Sequence, residues 1–101
     1  MKDLKPPQDC ADMVELRQAI DVVDRELVAL LTIRAGYIDR AIEIKRGNGL
    51  PARIPTRVED VVTKVKAEAT ETGLDADLVE ALWRRLIDWS IAREAMVIDP
   101  E

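Results

Sequence analysis

The stretch MVELRQAIDVVDRELVALLTIRAGYIDRAIEIKR, residues 13–46, decides the fold. No proline interrupts it, and apolar side chains return every three or four positions at Met13, Leu16, Ile20, Val23, Leu27, Leu30, Leu31, Ile38 and Ala41. That spacing lines one face of a helix. Asp12 is placed to cap its start, with Glu15 three residues on to complete a capping box. Gly36 weakens it by about 1 kcal/mol relative to alanine. Gly47-Asn48-Gly49, followed by Pro51, stops it. At 1.5 Å per residue the helix is roughly 50 Å long. The rest of a 101-residue chain cannot cover such a length, so a second copy is expected beside it.

Outward from this helix the chain reads simply. Residues 1–11, with Pro6, Pro7 and Cys10, form an extended N-terminal leader, and residues 12–101 a single helical domain. Residues 50–54 are a loop, and Pro55 suits the first position of a second helix. That helix carries Val58, Val61, Val62, Val65 and Ala69 on one side and ends at Gly73, with Leu74 as the apolar contact after the cap. Asp75 caps a third helix to about Val97, with Leu78, Val79, Leu82, Leu86 and Ile91 on or near its inner face. No period-two pattern suggests a strand. The expected fold is all-α: three helices (long, medium, long) forming an intertwined homodimeric helical bundle.

Composition narrows the chemistry. Tyr37, Trp83 and Trp89 are the aromatics, so the core is aliphatic. The net charge of −5 argues against nucleic acid, whose binding rests on many phosphate contacts from Lys and Arg. Cys10 is the one cysteine and histidine is absent, which excludes an internal disulfide, a zinc–thiolate cluster, Ser-His-Asp catalysis and histidine metal sites. No metal or other cofactor is expected. Neither a signal peptide's apolar region nor a membrane-length run occurs, so the expectation is a cytoplasmic protein with no membrane partner. Arg84, Arg85 and Lys64 read as a solvated face.

The informative positions are polar ones in apolar seams. The seam of the first helix continues Leu27, Leu30, Arg34, Ile38, Ala41, Lys45. Arg34 and Lys45 therefore share a face, about three turns or roughly 16 Å apart. Two long cationic side chains converging across that gap suit a small anion, and a planar guanidinium suits a carboxylate. In the third helix, Ser90 and Glu94 fall on the inner seam at i and i+4. Arg57 opens the second helix, where it can reach over a pocket mouth. Arg17 is turned about 100° from Arg34, and reaches a pocket only in a neighbouring copy. The plainer alternatives are a snorkelling side chain for a lone Arg or Lys, a surface pair with Asp21 or Asp24 for Arg17, simple helix packing for Ser90, and an internal ion pair with Arg34 or Lys45 for Glu94.

These residues carry a family likeness. Leu16-Arg17-Gln18-Ala19-Ile20-Asp21-Val22-Val23-Asp24, then Leu27, Leu30-Leu31, Arg34 and Ile42-Glu43-Ile44-Lys45, resemble the opening helix of the all-helical chorismate mutases. The likeness runs on through Pro51, Pro55, Arg57 and Gly73-Leu74-Asp75 to Leu86-Ile87-Asp88-Trp89-Ser90-Ile91-Ala92-Arg93-Glu94, covering roughly residues 12–97. The fold also houses isochorismate pyruvate lyase, which the leader ending Asp9-Cys10, the segment Pro55-Thr56-Arg57-Val58 and Trp89 resemble.

The resemblance implies a homodimer acting on a small dicarboxylate, chorismate or isochorismate. It implies substrate binding by Arg17 (from the partner subunit), Arg34, Lys45, Arg57, Ser90 and Glu94. Arg34 and Arg57 hold carboxylates, Lys45 and Glu94 flank the ether oxygen, and Ser90 supports binding; Lys45, Glu94 and Arg34 are the catalytic set. Two positions depart from the mutase pattern. Glu94 stands where glutamine is common, and Val58 where many bacterial mutases have a glutamate for the ring hydroxyl.

A pericyclic rearrangement needs neither nucleophile nor metal, only a compactly held substrate and donors aimed at the breaking C–O bond. Glu94 donates to that oxygen only while protonated, a form that burial favours and Lys45 opposes. Three readings follow: a chorismate mutase giving prephenate, an isochorismate pyruvate lyase giving salicylate and pyruvate, and a non-catalytic dimeric helical module whose seam charges set register.

Overall fold

The computed structural model describes residues 4–98. A short 3-10 turn, Pro7–Asp9, precedes three α-helices: α1 (Met13–Asn48), α2 (Pro55–Thr72) and α3 (Ala76–Ile98). No strand occurs among the described residues. The chain divides into two compact units, Met1–Tyr37 and Ile38–Glu101.

Local chemistry sets the boundaries. The Glu15 amide donates to Asp12 Oδ1 at 2.9 Å, as an N-cap requires. The return bond of the box is shifted by one residue: Glu15 accepts from the Ala11 amide at 2.8 Å and pairs with Lys5 at 3.0 Å. The leader is thereby drawn against α1, with Leu4, Pro7 and Cys10 beside Leu16, Ile20 and Val23 around an apolar hollow. It is not fully extended as expected, because the Asp9 amide closes a turn on the Pro6 carbonyl. Cys10 Sγ donates to that same carbonyl at 3.7 Å.

Helix α1 runs two residues beyond the expected stop. Gly47 and Asn48 remain helical, and Gly49 takes the left-handed conformation (φ 69°) that ends it. Pro55 begins α2 as expected. Gly73 (φ 82°) closes α2, with the Leu74 amide returning to the Ala69 carbonyl at 2.8 Å. Asp75 Oδ1 accepts from the amides of Asp77 and Leu78 to cap α3.

In the unit Ile38–Glu101 the core joins Ile42, Ala52, Val62, Ala69, Val79 and Ile87, all buried. A charged network staples α2 to α3. Arg84 donates to both Glu59 oxygens at 2.9 and 3.1 Å and to Glu80 at 2.8 Å, and Lys66 reaches Glu80 at 2.9 Å. Arg84 is thus a cross-helix link rather than the solvated charge expected, and Lys64 pairs with Asp60 at 3.0 Å.

One expectation about an apolar face is corrected. Leu78 and Leu82 face outward, half exposed, because the inner line of α3 passes through Val79, Ile87, Ser90 and Glu94, roughly 100–140° around the axis from them. In the unit Met1–Tyr37, Met13, Ile20, Leu27, Leu30 and Leu31 are exposed at 41–60%. Their exposure is as expected of a helix too long for its own chain to cover.

Candidate active site

The interior of the unit Ile38–Glu101 holds charge. On α3, Ser90 and Glu94 are each only 3% exposed. They lie one turn apart on the face that otherwise presents Val79 and Ile87 to the core. Ser90 Oγ donates to the Leu86 carbonyl at 2.9 Å. Opposite, Lys45 projects from the last turns of α1. Its Nζ lies 2.9 Å from Glu94 Oε1 and donates to the Ala52 carbonyl, also at 2.9 Å.

The Lys45–Glu94 contact is a close charge pair rather than an aligned hydrogen bond, since Glu94 Oε1 has no donor aligned on it among the described residues. The distance is what governs the Coulomb attraction, which is strong where water is excluded. Misalignment leaves the carboxylate able to turn toward another donor. A cavity of about 600 Å³ opens beside Lys45, walled by Arg46, Gly49, Leu50, Pro51, Val97 and Ile98. That is room for a small ligand.

The other predicted residues are placed as follows. Arg57, in the first turn of α2, is largely exposed and held by Asp60 at 2.7 Å, which also takes Lys64. The guanidinium is thus engaged by a carboxylate of its own helix rather than by the buried pair. Lys64 first, then Arg57, hold the Asp60 carboxyl below its ordinary range. Arg34 lies half-buried and partnered on α1, and Arg17 is exposed near its start; both belong to the unit Met1–Tyr37. Val58, beside Arg57, is half-buried. The structure therefore brings Lys45 and Glu94 together, with Ser90 on the same face as Glu94. Of the alternatives for Glu94, an ion pair with Lys45 is realised.

Sequence reasoning missed two features. The Ala52 carbonyl is a backbone acceptor and has no residue-type signal. Asp39 and Arg93 form a two-pronged pair between α1 and α3, Nε to Oδ1 at 2.6 Å and a terminal nitrogen to Oδ2 at 3.2 Å. In sequence they are two ordinary charges far apart. No cluster able to hold a metal occurs among the described residues.

The model of the family described as chorismate mutase type II matches residues 16–95, which contain every one of these site residues. The chain belongs to that family. An isochorismate pyruvate lyase from Pseudomonas aeruginosa is 36% identical over 92 residues, spanning 90% of this chain and 89% of that protein. A T-protein from Haemophilus influenzae is 35% identical over 80 residues, 79% of this chain but 21% of that protein. A T-protein from Enterobacter agglomerans is 33% identical over 84 residues, 83% of this chain and 22% of the relative. The chain is thus an enzyme of the chorismate mutase type II family, and its all-helical architecture accords with that membership. No described helix is long and apolar enough to cross a membrane.

Proposed function

We propose that the chain is a chorismate mutase, converting chorismate to prephenate in one concerted step in the cytoplasm. The enolpyruvyl C–O bond breaks as a carbon–carbon bond forms, and no proton or electron is exchanged with the protein. The observation that carries this reading is the partly buried Lys45 ammonium set against the buried Glu94 carboxylate beside an open cavity. An ammonium fixed in a water-poor site stabilises charge as it grows on the ether oxygen, with little reorganisation. Arg34 and Arg57 grip the two carboxylates, Ser90 supports the bound substrate, and Glu94 flanks the ether oxygen with Lys45. Arg57 must leave Asp60 to do so.

The functional unit in this reading is a homodimer. The exposed leucines of α1, Leu27, Leu30 and Leu31, form an apolar surface suited to a second copy. Arg17 of each subunit completes the neighbour's site.

A second reading, isochorismate pyruvate lyase, is favoured by the end-to-end similarity to the Pseudomonas aeruginosa enzyme and by Val58 next to Arg57. A valine offers no acceptor for the ring hydroxyl of chorismate, and isochorismate carries that hydroxyl on a different carbon. In this reaction the same C–O bond breaks while a ring hydrogen passes to the departing enolpyruvyl group, which balances salicylate plus pyruvate. Incubating the purified protein with each substrate separately and identifying products tests both readings. Prephenate from chorismate supports the mutase; salicylate with pyruvate from isochorismate alone moves the activity to the lyase. Turnover of neither overturns both.

A further inference from the structure

Glu94 can meet Lys45 only if α3 keeps one register against the end of α1. A slip of one residue along α3 turns a side chain by about 100° and moves it about 1.5 Å. Aliphatic packing resists such a slip weakly, because hydrophobic contact has no direction. Among the described residues of α1, Ile42 is the one that is buried. A directional contact is therefore needed close to the site.

Asp39 and Arg93 supply one. Arg93 immediately precedes Glu94 on α3, and Asp39 lies six residues before Lys45 on α1. Two donors of one guanidinium meet the two oxygens of one carboxylate, at 2.6 and 3.2 Å, which fixes both distance and orientation. Trp89, one turn earlier on α3, lies under the guanidinium at 5.5 Å and steadies its plane. Both partners are about half exposed, and ion pairs so placed contribute little to stability. Their geometry is better suited to setting register than to holding the fold together.

We propose that Asp39 and Arg93 are a positioning pair that holds Glu94 of α3 against Lys45 of α1, an inference resting on the reading of Lys45 and Glu94 as the reacting centre. The pair touches no substrate. Its effect falls on the chemical step, because neither Asp39 nor Arg93 lines the cavity and neither is one of the arginines proposed to hold the carboxylates.

The test is charge reversal in the full-length protein. Asp39→Lys alone sets two cations together and lowers kcat by about tenfold or more, the scale expected when a reacting group is displaced by a fraction of an ångström. KM stays within about twofold, and helix content is kept. Adding Arg93→Glu restores the pairing and recovers most of the lost kcat. The milder Asp39→Asn keeps the shape and loses a smaller part, which guards against a reversal that fails to fold. Unchanged kcat in both single variants, or a double variant no better than Asp39→Lys, overturns the positioning role. Lys45→Ala is assayed alongside. Full activity there overturns the reacting-centre reading itself, whereas loss there with normal activity in Asp39→Lys overturns the positioning role alone.

Discussion

Lys45 Nζ lies 2.9 Å from Glu94 Oε1, with 17% of the lysine side chain and 5% of the glutamate side chain exposed. The ammonium also donates to the Ala52 carbonyl, which ties the loop between α1 and α2 to the pair. A buried ion pair is rarely kept for stability, because desolvating both charges offsets most of their attraction. Removing one partner is another matter, because it strands the other charge.

Lys45→Met therefore destabilises the protein although it adds an apolar group. The expected loss is roughly 3 kcal/mol, from a stranded carboxylate. Glu94→Gln costs less, since the ammonium it strands is less buried than the carboxylate and keeps its bond to the Ala52 carbonyl. Denaturant melts of the two variants check the order; equal midpoints would show that the pair is not closed in solution.

In the proposed reading, Asp60, which pairs with Arg57 at 2.7 Å, competes with substrate for that guanidinium. Asp60→Asn frees the guanidinium, and KM falls by about two- to fivefold, as expected for loss of an exposed pair worth up to about 1 kcal/mol. In an Arg57→Ala background the same substitution has no effect. If KM falls equally in both backgrounds, the change is a general effect of removing negative charge.

Acid stability follows from carboxylates held below their ordinary range: Asp39 by Arg93, Glu59 by Arg84, Glu80 by Lys66 and Arg84, and Asp60 by Lys64 and Arg57. Each is depressed in the folded state, so each stabilises the fold above its unfolded value and loses that contribution as pH falls through the lower folded value. The ordinary values are 3.8 for Asp39 and 4.5 for Glu59. Melting temperature thus declines below about pH 4.5. Asp39→Asn, slightly less stable at neutral pH, converges on the unaltered protein at the acid end. A constant gap between the two at all pH values contradicts the assignment.

The three helices and most of their ends are legible because caps, glycine stops and proline starts are local; the stop of α1 falls at Gly49, two residues later than its glycines suggest. Asp12, Pro55, Gly73 and Asp75 act through neighbours within a turn. Lys45 and Glu94 were legible too, as charges at positions where periodicity called for apolar residues. Leu78 and Leu82 were misread because apolarity says that a side chain prefers cover, not that its own chain provides it. Asp39, Arg93 and the Ala52 carbonyl were not legible. Their roles depend on which helix faces come together, and that is decided by packing between distant segments.

The assembly reading carries its own test. Leu27→Glu places a charge in the proposed interface and converts a dimer to monomers in sedimentation. Arg17→Ala and Arg34→Ala are each inactive with helix content kept, yet mixing and refolding them together restores part of the activity, since one site in each mixed dimer is intact. A monomeric parent protein, or no recovery on mixing, contradicts a site shared between subunits.

The most direct measurement of the central claim is the turnover of chorismate by the unaltered protein and by Lys45→Ala, at matched concentration and with helix content checked. The first is expected to give prephenate. In the second, kcat is expected to be lower by about a hundredfold to a thousandfold, the usual effect of deleting one donor to a developing oxyanion, with the helices intact. A folded Lys45→Ala variant working within a few fold of the parent would contradict that claim.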